Sequence, residues 1–279
     1  MKNIKMIVAD IDGTLVNQPR EMMPITRKAL KILHEHGILL GIASGRPLGP
    51  HMYSMARDTW GMDHAFDFYI GMNGGQIHDA LSGQDHGFYQ LQPEDIREIV
   101  EMMEPVDANP FIYIGEDMKS KYIDDMMYAS MKRHGIGCEQ VKDLSELWEH
   151  ETPKILFRLK SADQMPYAEK YAAEHKSERY AAFKTQPTML EFQDSRVNKG
   201  IALNYFCDMH HIDLSEVIAF GDMTNDNELL QTAGYGVCLK NGSDDTKAIA
   251  DAVTEYTNNE DGMGRWLSDH LLNEYGWGE

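Results

Sequence analysis

The sequence predicts an α/β protein with a parallel-sheet core, interrupted by a separate α+β insertion. Three observations carry that expectation. Short apolar runs rich in β-branched residues lie at 4–9, 38–43 and 217–220 and do not alternate with polar residues, the signature of strands covered on both faces. Helical patterns separate those strands at the spacing of a parallel crossover. The texture then changes near Ser82 and returns after Asp194. A chain of 279 residues is long enough for two cores. The expected division is a core of residues 1–82 and 194–279 around an inserted domain of residues 83–193.

In chain order, the first strand ends in Asp10-Ile11-Asp12-Gly13-Thr14. Asp10 and Asp12 share a face of an extended chain, Gly13 permits a tight turn, and Thr14 brings a hydroxyl back towards the carboxylates. Residues 24–36 form a helix with Ala29, Leu30 and Leu33 on one face, and Gly37 stands just past its end. The strand at 38–43 ends in Ser44-Gly45-Arg46. A helix at 51–59 and a strand at 66–71 follow; the strand opens into Asn73-Gly74-Gly75, with a short hairpin from 76.

The insertion reads as helices at 93–103, 124–134 and 165–175 and strands at 111–114, 154–159 and 188–192. Its methionines (Met102, Met103, Met118, Met126, Met127, Met131) are expected to fill core space. After it come a helix at 199–209, a strand at 217–220 ending in Gly221-Asp222-Met223-Thr224-Asn225-Asp226, and a helix at 227–232. A strand at 236–239, a helix at 246–251, a loop at 258–262 and a helix at 263–272 complete the chain.

Composition excludes several classes. The net charge of −19, from 26 basic and 45 acidic residues, argues against nucleic acid, whose phosphates demand a basic surface. An anionic substrate must therefore be attracted locally, by a metal or a few placed cations. No run approaches the ~18 apolar residues of a membrane span. The apolar stretch after Lys2 and Lys5 breaks at Asp10, too soon for a signal peptide. Cys138, Cys207 and Cys238 form no C-x-x-C pair, so a reducing cytoplasm is the expected location. His34/His36 and His210/His211 carry no zinc-site spacing. The sequence is compatible with a monomer or a homodimer.

Chemistry gathers at the strand ends. Asp10/Asp12, Ser44 and Asp222/Asn225/Asp226 close three parallel strands and are expected to meet at one sheet edge. Four carboxylates brought together require a cation, and all-oxygen ligation favours Mg²⁺. Lys199 supplies a positive charge, while Ser44, the Gly45 amide and Asn225 complete a cradle for phosphate. No serine–histidine or cysteine–histidine pair is in evidence. Asp10 is then the best-placed nucleophile, and Asp12 the group that protonates the leaving oxygen and activates water. Taken singly, each residue also reads as a turn, a cap or a surface lysine.

These motifs resemble, in order, the four motifs of the haloacid dehalogenase-like hydrolases: Asp10 to Thr14, Ser44-Gly45-Arg46, Lys199, and Gly221 to Asp226. The long insertion, Asn73-Gly74-Gly75, Arg196-Val197-Asn198-Lys199-Gly200 and the tail resemble the Cof-like sugar-phosphatase branch. The resemblance implies a Rossmann-like core with a mobile α/β cap that faces the leaving group. It implies Asp10 as nucleophile and Asp12 as general acid/base, with Mg²⁺ held by Asp10, the Asp12 backbone carbonyl and Asp222. Asn225 and Asp226 match supporting or phosphate-orienting positions. Gly75 and Gly242 replace the branch's frequent alanines, which is expected to loosen those loops.

The expected activity is hydrolysis of a small phosphometabolite, a sugar phosphate or similar monoester. Transfer of the phosphoryl group to a sugar, as in phosphomannomutases, and non-catalytic metabolite binding are the alternatives. Lys119, Lys121, Arg158, Lys184 and Glu191 are the candidate leaving-group contacts in the insertion, each equally readable as a surface ion pair or structural residue.

Overall fold

The computed structural model describes residues 3–278, so Lys2 lies outside it. The elements are β1 (Met6–Ala9), α1 (Pro24–Glu35), β2 (Leu39–Ala43), α2 (Pro50–Asp58), β3 (Phe68–Gly71), β4 (Gln76–Asp79) and β5 (Gln84–Gly87). Then follow α3 (Pro93–Met102), β6 (Asn109–Ile114), β7 (Asp117–Ser120), α4 (Asp125–His134), β8 (Cys138–Gln140), β9 (Lys154–Arg158), α5 (Met165–Glu174), β10 (Tyr180–Gln186) and β11 (Met189–Asp194). The last stretch holds α6 (Lys199–His210), β12 (Val217–Gly221), α7 (Asn227–Thr232), β13 (Tyr235–Cys238), α8 (Asp244–Ile249), β14 (Ala252–Val253), α9 (Gly262–Leu267) and α10 (Asn273–Tyr275).

Two compact units result, one running to His86 and resuming at Asn198, the other spanning Gly87–Val197. Each boundary falls four residues later than the 82/83 and 193/194 divisions expected from texture. β5 extends the first unit's sheet, which moves the first boundary outward. Residues 195–197 are tied to the second unit: the Ser195 amide donates to Arg179 O and the Gln193 side-chain amide to Val197 O.

In the first unit an eight-stranded sheet has the order β14-β13-β12-β1-β2-β3-β4-β5. All pairs from β14 to β3 are parallel, and β4 turns back antiparallel on β3. The chain leaves β1 towards β2 and β3, and returns later on its other side as β12, β13 and β14. β1 and β12 therefore flank a topological switch point, where an open α/β sheet offers a crevice beyond its carboxyl ends. One apolar core packs Ile7, Leu40 and Ile42 of the sheet with Ala29, Leu30 and Leu33 of α1, Met52 and Met55 of α2, and Trp266 and Leu267. On the other face Phe68 stacks on Phe206 of α6, ring centroids 4.0 Å apart.

The second unit's sheet has the order β10-β11-β9-β6-β7-β8, antiparallel except for β7 with β8. Ile155, Phe157 and Leu159 point to the face covered by α3 and α5, where Ile96, Ile99, Met165 and Ala168 complete a core. The opposite face carries Phe111, Leu156 and Met189 against Met127 of α4. Met103, Met118 and Met127 are buried, so these methionines fill core space. Strands β5, β7, β8, β10 and β14 escaped the sequence reading. Four of them are sheet edges, and polar segments such as Gln-Asp-His-Gly (β5) and Cys-Glu-Gln (β8) carry no apolar run because edge strands are half solvated.

No helix among the described residues is long and apolar enough to cross a membrane. The three cysteines are free, and burial pushes the thiols of Cys207 and Cys238 up to about 12, which keeps them inert.

One tertiary contact substitutes for a missing local cap. The residue before α1 is Met23, whose side chain makes no cap hydrogen bond. Asp261, more than 230 residues away, accepts instead from the Ile25 amide (2.7 Å), the Thr26 amide (2.9 Å) and the Thr26 hydroxyl (2.6 Å). Asp261→Ala leaves a buried helix N-terminus without its acceptor. It should lower stability by about 1–3 kcal/mol in denaturant unfolding, and a loss under ~0.5 kcal/mol would show that the cap is dispensable.

Candidate active site

Four adjacent strands, β12, β1, β2 and β3, run in the same direction and end at the same edge. The residue after β1 is Asp10, after β2 Ser44, after β12 Asp222, and the turn after β3 contains Asn73. Parallel register alone therefore collects side chains separated by up to 212 residues. Asp10, Ser44, Asp222, Asp226 and Lys199 are all buried.

Lys199, completely buried at the start of α6, is the centre of the arrangement. Its ammonium lies 2.7 Å from Asp10 Oδ1 and 2.6 Å from Asp226 Oδ1. The other oxygen of Asp226 accepts from the amides of Asp222 (2.9 Å) and Met223 (3.2 Å), so Asp226 clamps the loop that carries Asp222. Asp222 Oδ1 accepts from the Thr14 hydroxyl at 2.9 Å, so the Gly13 turn carries that hydroxyl to the neighbouring strand end and not to Asp10 and Asp12, where the sequence directs it. Gly13 has φ +95°, and a Cβ there would stand 2.3 Å from Asp222 Oδ2; position 13 must be glycine on both counts.

Electrostatics follow from one ammonium serving three carboxylates. Burial raises Asp10 to about 7, with the neighbouring acidic groups adding to the lift and Lys199 opposing it. Burial likewise raises Asp222 to about 8, with Asp10 and Asp226 adding to it. Burial works against the charge on Lys199, yet Asp10 and Asp226 outweigh it and hold the ammonium above its ordinary range. Asp10, Asp222 and Asp226 offer ligand oxygens within 4.8 Å of one another, the acidic cluster of this kind among the described residues. Asp226 is occupied by Lys199 and two amides, whereas Asp10 and Asp222 each keep an oxygen outside these bonds. Hard oxygen donors with excess buried negative charge fit a divalent cation.

Asp12 stands apart from that cluster. Its side chain is 44% exposed and is gripped by Arg46, through Nε (2.9 Å) and Nη2 (2.6 Å), with Arg20 at 3.4 Å. Arg46 was a motif residue without an assigned task; its guanidinium orients Asp12. Ser44 Oγ accepts from the Arg46 amide at 3.2 Å, and Asn225 donates to Asn73 Oδ1 at 3.2 Å. Gly242, expected to loosen its loop, does the reverse. A Cβ there would lie 2.8 Å from Asp222 O and 2.5 Å from Cys238 Sγ, so its absence lets the Asp222 loop pack tightly.

Within the inserted unit, Lys154 and Glu191 form a buried ion pair at 2.7 Å, and Arg158 donates to Ser130 Oγ at 2.9 Å. Lys119 pairs with Glu146 at 3.1 Å, while Lys121 and Lys184 are exposed. Of the five candidate contacts, Lys119, Arg158 and Glu191 thus have protein partners.

The chain matches the haloacid dehalogenase-like hydrolase family over residues 7–267. It belongs to that family. Among its relatives is the 5-amino-6-(5-phospho-D-ribitylamino)uracil phosphatase YitU of Bacillus subtilis, 26% identical over 95% of this chain and 97% of the relative. Another is the phosphatase YwpJ of the same organism, 25% identical over 96% of this chain and all of the relative. The fold is similar to that of a haloacid dehalogenase-like hydrolase from Bacteroides thetaiotaomicron, with a TM-score of 0.80 and 25% identity over 95% of this chain and 99% of that one. A subclass IIB sugar phosphatase, 20% identical with a TM-score of 0.78 over 98% of this chain and 99% of its own, shares the fold.

The raised carboxylates generate a pH dependence whose sign is set by linkage. Asp10 and Asp222 rise from 3.8 to about 7 and about 8, so between these limits the folded state binds more protons than the unfolded one. Stability of the metal-free protein should then fall as pH rises from about 4 to about 8. A divalent cation should raise the melting temperature more at the alkaline end than at the acid end. Asp222→Asn should flatten the fall; a slope identical to that of the native chain would exclude this cluster as its source.

Proposed function

We propose that the protein is a Mg²⁺-dependent phosphomonoesterase acting on a small phosphorylated metabolite through an aspartyl-phosphate. Phosphatase activity is the activity of the family members it resembles, and the chain is a phosphatase of this family. The metal, the substrate class and the division of labour among residues are the substance of the proposal. The observation that carries it is the meeting of Asp10, Asp222, Asp226 and Lys199 at the ends of neighbouring parallel strands.

Asp10 and Asp222 would hold the ion, together with the Asp12 backbone carbonyl. When bound, the ion neutralises charge between the nucleophile and the phosphoryl group and relieves the repulsion between the two carboxylates. Asp10 attacks phosphorus in line, a P–O bond forms to its carboxylate, and the bond to the leaving oxygen breaks. Lys199 stays protonated throughout, held so by two carboxylates, and its fixed positive charge stabilises the transferring group without a change of geometry. Ser44, the Gly45 amide and Asn225 hold the equatorial oxygens.

Asp12 protonates the departing alkoxide and afterwards takes a proton from water, which attacks the aspartyl-phosphate and regenerates Asp10. Its exposure leaves it open to substrate and water, and Arg46 fixes its direction. Asp226 positions both Lys199 and the Asp222 loop.

The inserted unit is assigned the role of cap that selects the leaving group. The YitU relative acts on a phosphorylated ribityl chain, which supports a polyol or sugar phosphate as the substrate class here. The phosphate-transfer alternative differs only in the acceptor, and labelled water separates the two by placing its oxygen in the released phosphate.

Asp10→Asn should retain the fold and reduce turnover of a panel of sugar, polyol and nucleoside phosphates on the order of 10⁴-fold or more in the presence of Mg²⁺. Turnover comparable to the native enzyme would refute the nucleophile assignment. Lys184→Ala, at an exposed candidate contact of the insertion, should reorder the preference among those esters, read as ratios of kcat/KM; an unchanged order would remove Lys184 from substrate selection.

A further inference from the structure

The turn after β3 lies at the strand-end edge outside the four motifs, and its backbone is strained. Met72, Asn73 and Gly74 have φ of +50°, +56° and +108°, three left-handed residues in succession, two of which carry side chains. Left-handed backbone in non-glycine residues persists where surrounding contacts over-determine it, and such residues cluster at functional sites. The contacts here are explicit. The Met72 amide donates to Arg46 O (2.9 Å) and the Asn73 amide to Ser44 O (3.1 Å). Gly74 lies so close to the start of α6 that a Cβ would stand 2.1 Å from Asn198 O and 3.0 Å from Lys199 N. The turn thus touches the segments that bear Ser44, Arg46 and Lys199.

The Asn73 side chain extends this to Asn225. It is 2% exposed, and its Oδ1 accepts from Asn225 Nδ2 at 3.2 Å. Its amide also lies on Gly45: a Cβ at position 45 would be 2.9 Å from Asn73 Oδ1 and 3.7 Å from Nδ2. Asn73 Nδ2 is buried and has no hydrogen-bond partner among the described residues. An unmade buried donor is costly, and a fold that strains its backbone to place one requires an acceptor from elsewhere. An amide N–H cannot ligate a cation. Beside Gly45 and Asn225, the acceptor that suits it is an anionic oxygen.

Resting on the phosphatase reading above, we infer that Asn73 is a further substrate-binding residue whose Nδ2 donates to a phosphoryl oxygen while its Oδ1 holds Asn225 in position. The cradle then has two linked amides, with the strained turn fixing both relative to Ser44 and Gly45. Asn73 plays no part in bond making; it orients the phosphoryl group and is present in ground and transition states alike, so its loss should appear mainly in phosphate affinity and KM.

Two substitutions separate this role from a structural one. Asn73→Gly keeps the left-handed backbone, which glycine adopts freely, and deletes the amide. Asn73→Asp keeps the acceptor for Asn225 and replaces the donor with a carboxylate oxygen. The measurements are calorimetric binding of inorganic phosphate with Mg²⁺, KM and kcat for p-nitrophenyl phosphate, Mg²⁺ affinity, and thermal melting. The expected result is Mg²⁺ affinity and melting close to the native protein for both variants. Phosphate binding should weaken roughly ten- to hundredfold, the span for a hydrogen bond to a charged oxygen, and more for Asp than for Gly.

Native-like phosphate affinity in Asn73→Asp would overturn the inference and leave the phosphatase reading standing. Parallel loss of melting temperature, Mg²⁺ affinity and phosphate affinity in both variants would overturn it as well, in favour of a purely structural turn. Absence of both hydrolysis and phosphate binding in the native protein would refute the phosphatase reading, and the inference with it.

Discussion

A single buried ammonium surrounded by three buried carboxylates is the constraint to which the rest of the core answers. Lys199 can be desolvated because Asp10 and Asp226 compensate its charge, and the surplus of acidic groups makes the same cluster receptive to a cation. Each member has a backbone reason to be where it is. Asp10 and Asp222 end neighbouring strands, Lys199 starts a helix capped by the Asn198 side chain, and Asp226 caps the turn behind Asp222. Removing Lys199 would leave three carboxylates without a counter-charge away from water, so the site and the sheet edge form one structural object.

The two leading aspartates occupy different environments. Both sit within three residues of one strand end, yet Asp10 is buried in the cluster while Asp12 faces Arg46, Arg20 and solvent. Burial beside the Lys199 ammonium suits the nucleophilic role proposed for Asp10. Exposure suits the proton-transfer role proposed for Asp12. A one-residue spacer, Ile11, wholly buried, separates the two environments.

Surrounding contacts tie the loops at this sheet edge to one another. The Met72–Gly74 turn bonds to the backbone of Ser44 and Arg46 and packs on Asn198, and its side chain reaches Asn225. Small residues at Gly13, Gly45 and Gly242 permit these approaches, since a Cβ at any of them would fall within 3 Å of a neighbouring atom. Preorganisation of this kind places donors before substrate arrives, which is where an enzyme gains most from electrostatics.

The sequence by itself determined the strand-and-helix order of the core, the parallel class of its sheet and the residues at its carboxyl edge. Apolar runs without alternation and polar clusters just beyond them are local signals, legible because each arises from a few consecutive residues. Thr14, Lys199 and Asp222 were readable on that basis. Only the tertiary structure decided what lies across the fold: the grip of Arg46 on Asp12, the trans-acting Asp261 cap, and the strained Asn73 turn with its buried amide. It also revealed the edge strands β10 and β14 and, at the opposite edges, β5 and β8, whose polar residues leave no apolar trace. Those features depend on distances between residues remote in the chain and on φ values at single positions. Neither quantity is written in composition or periodicity.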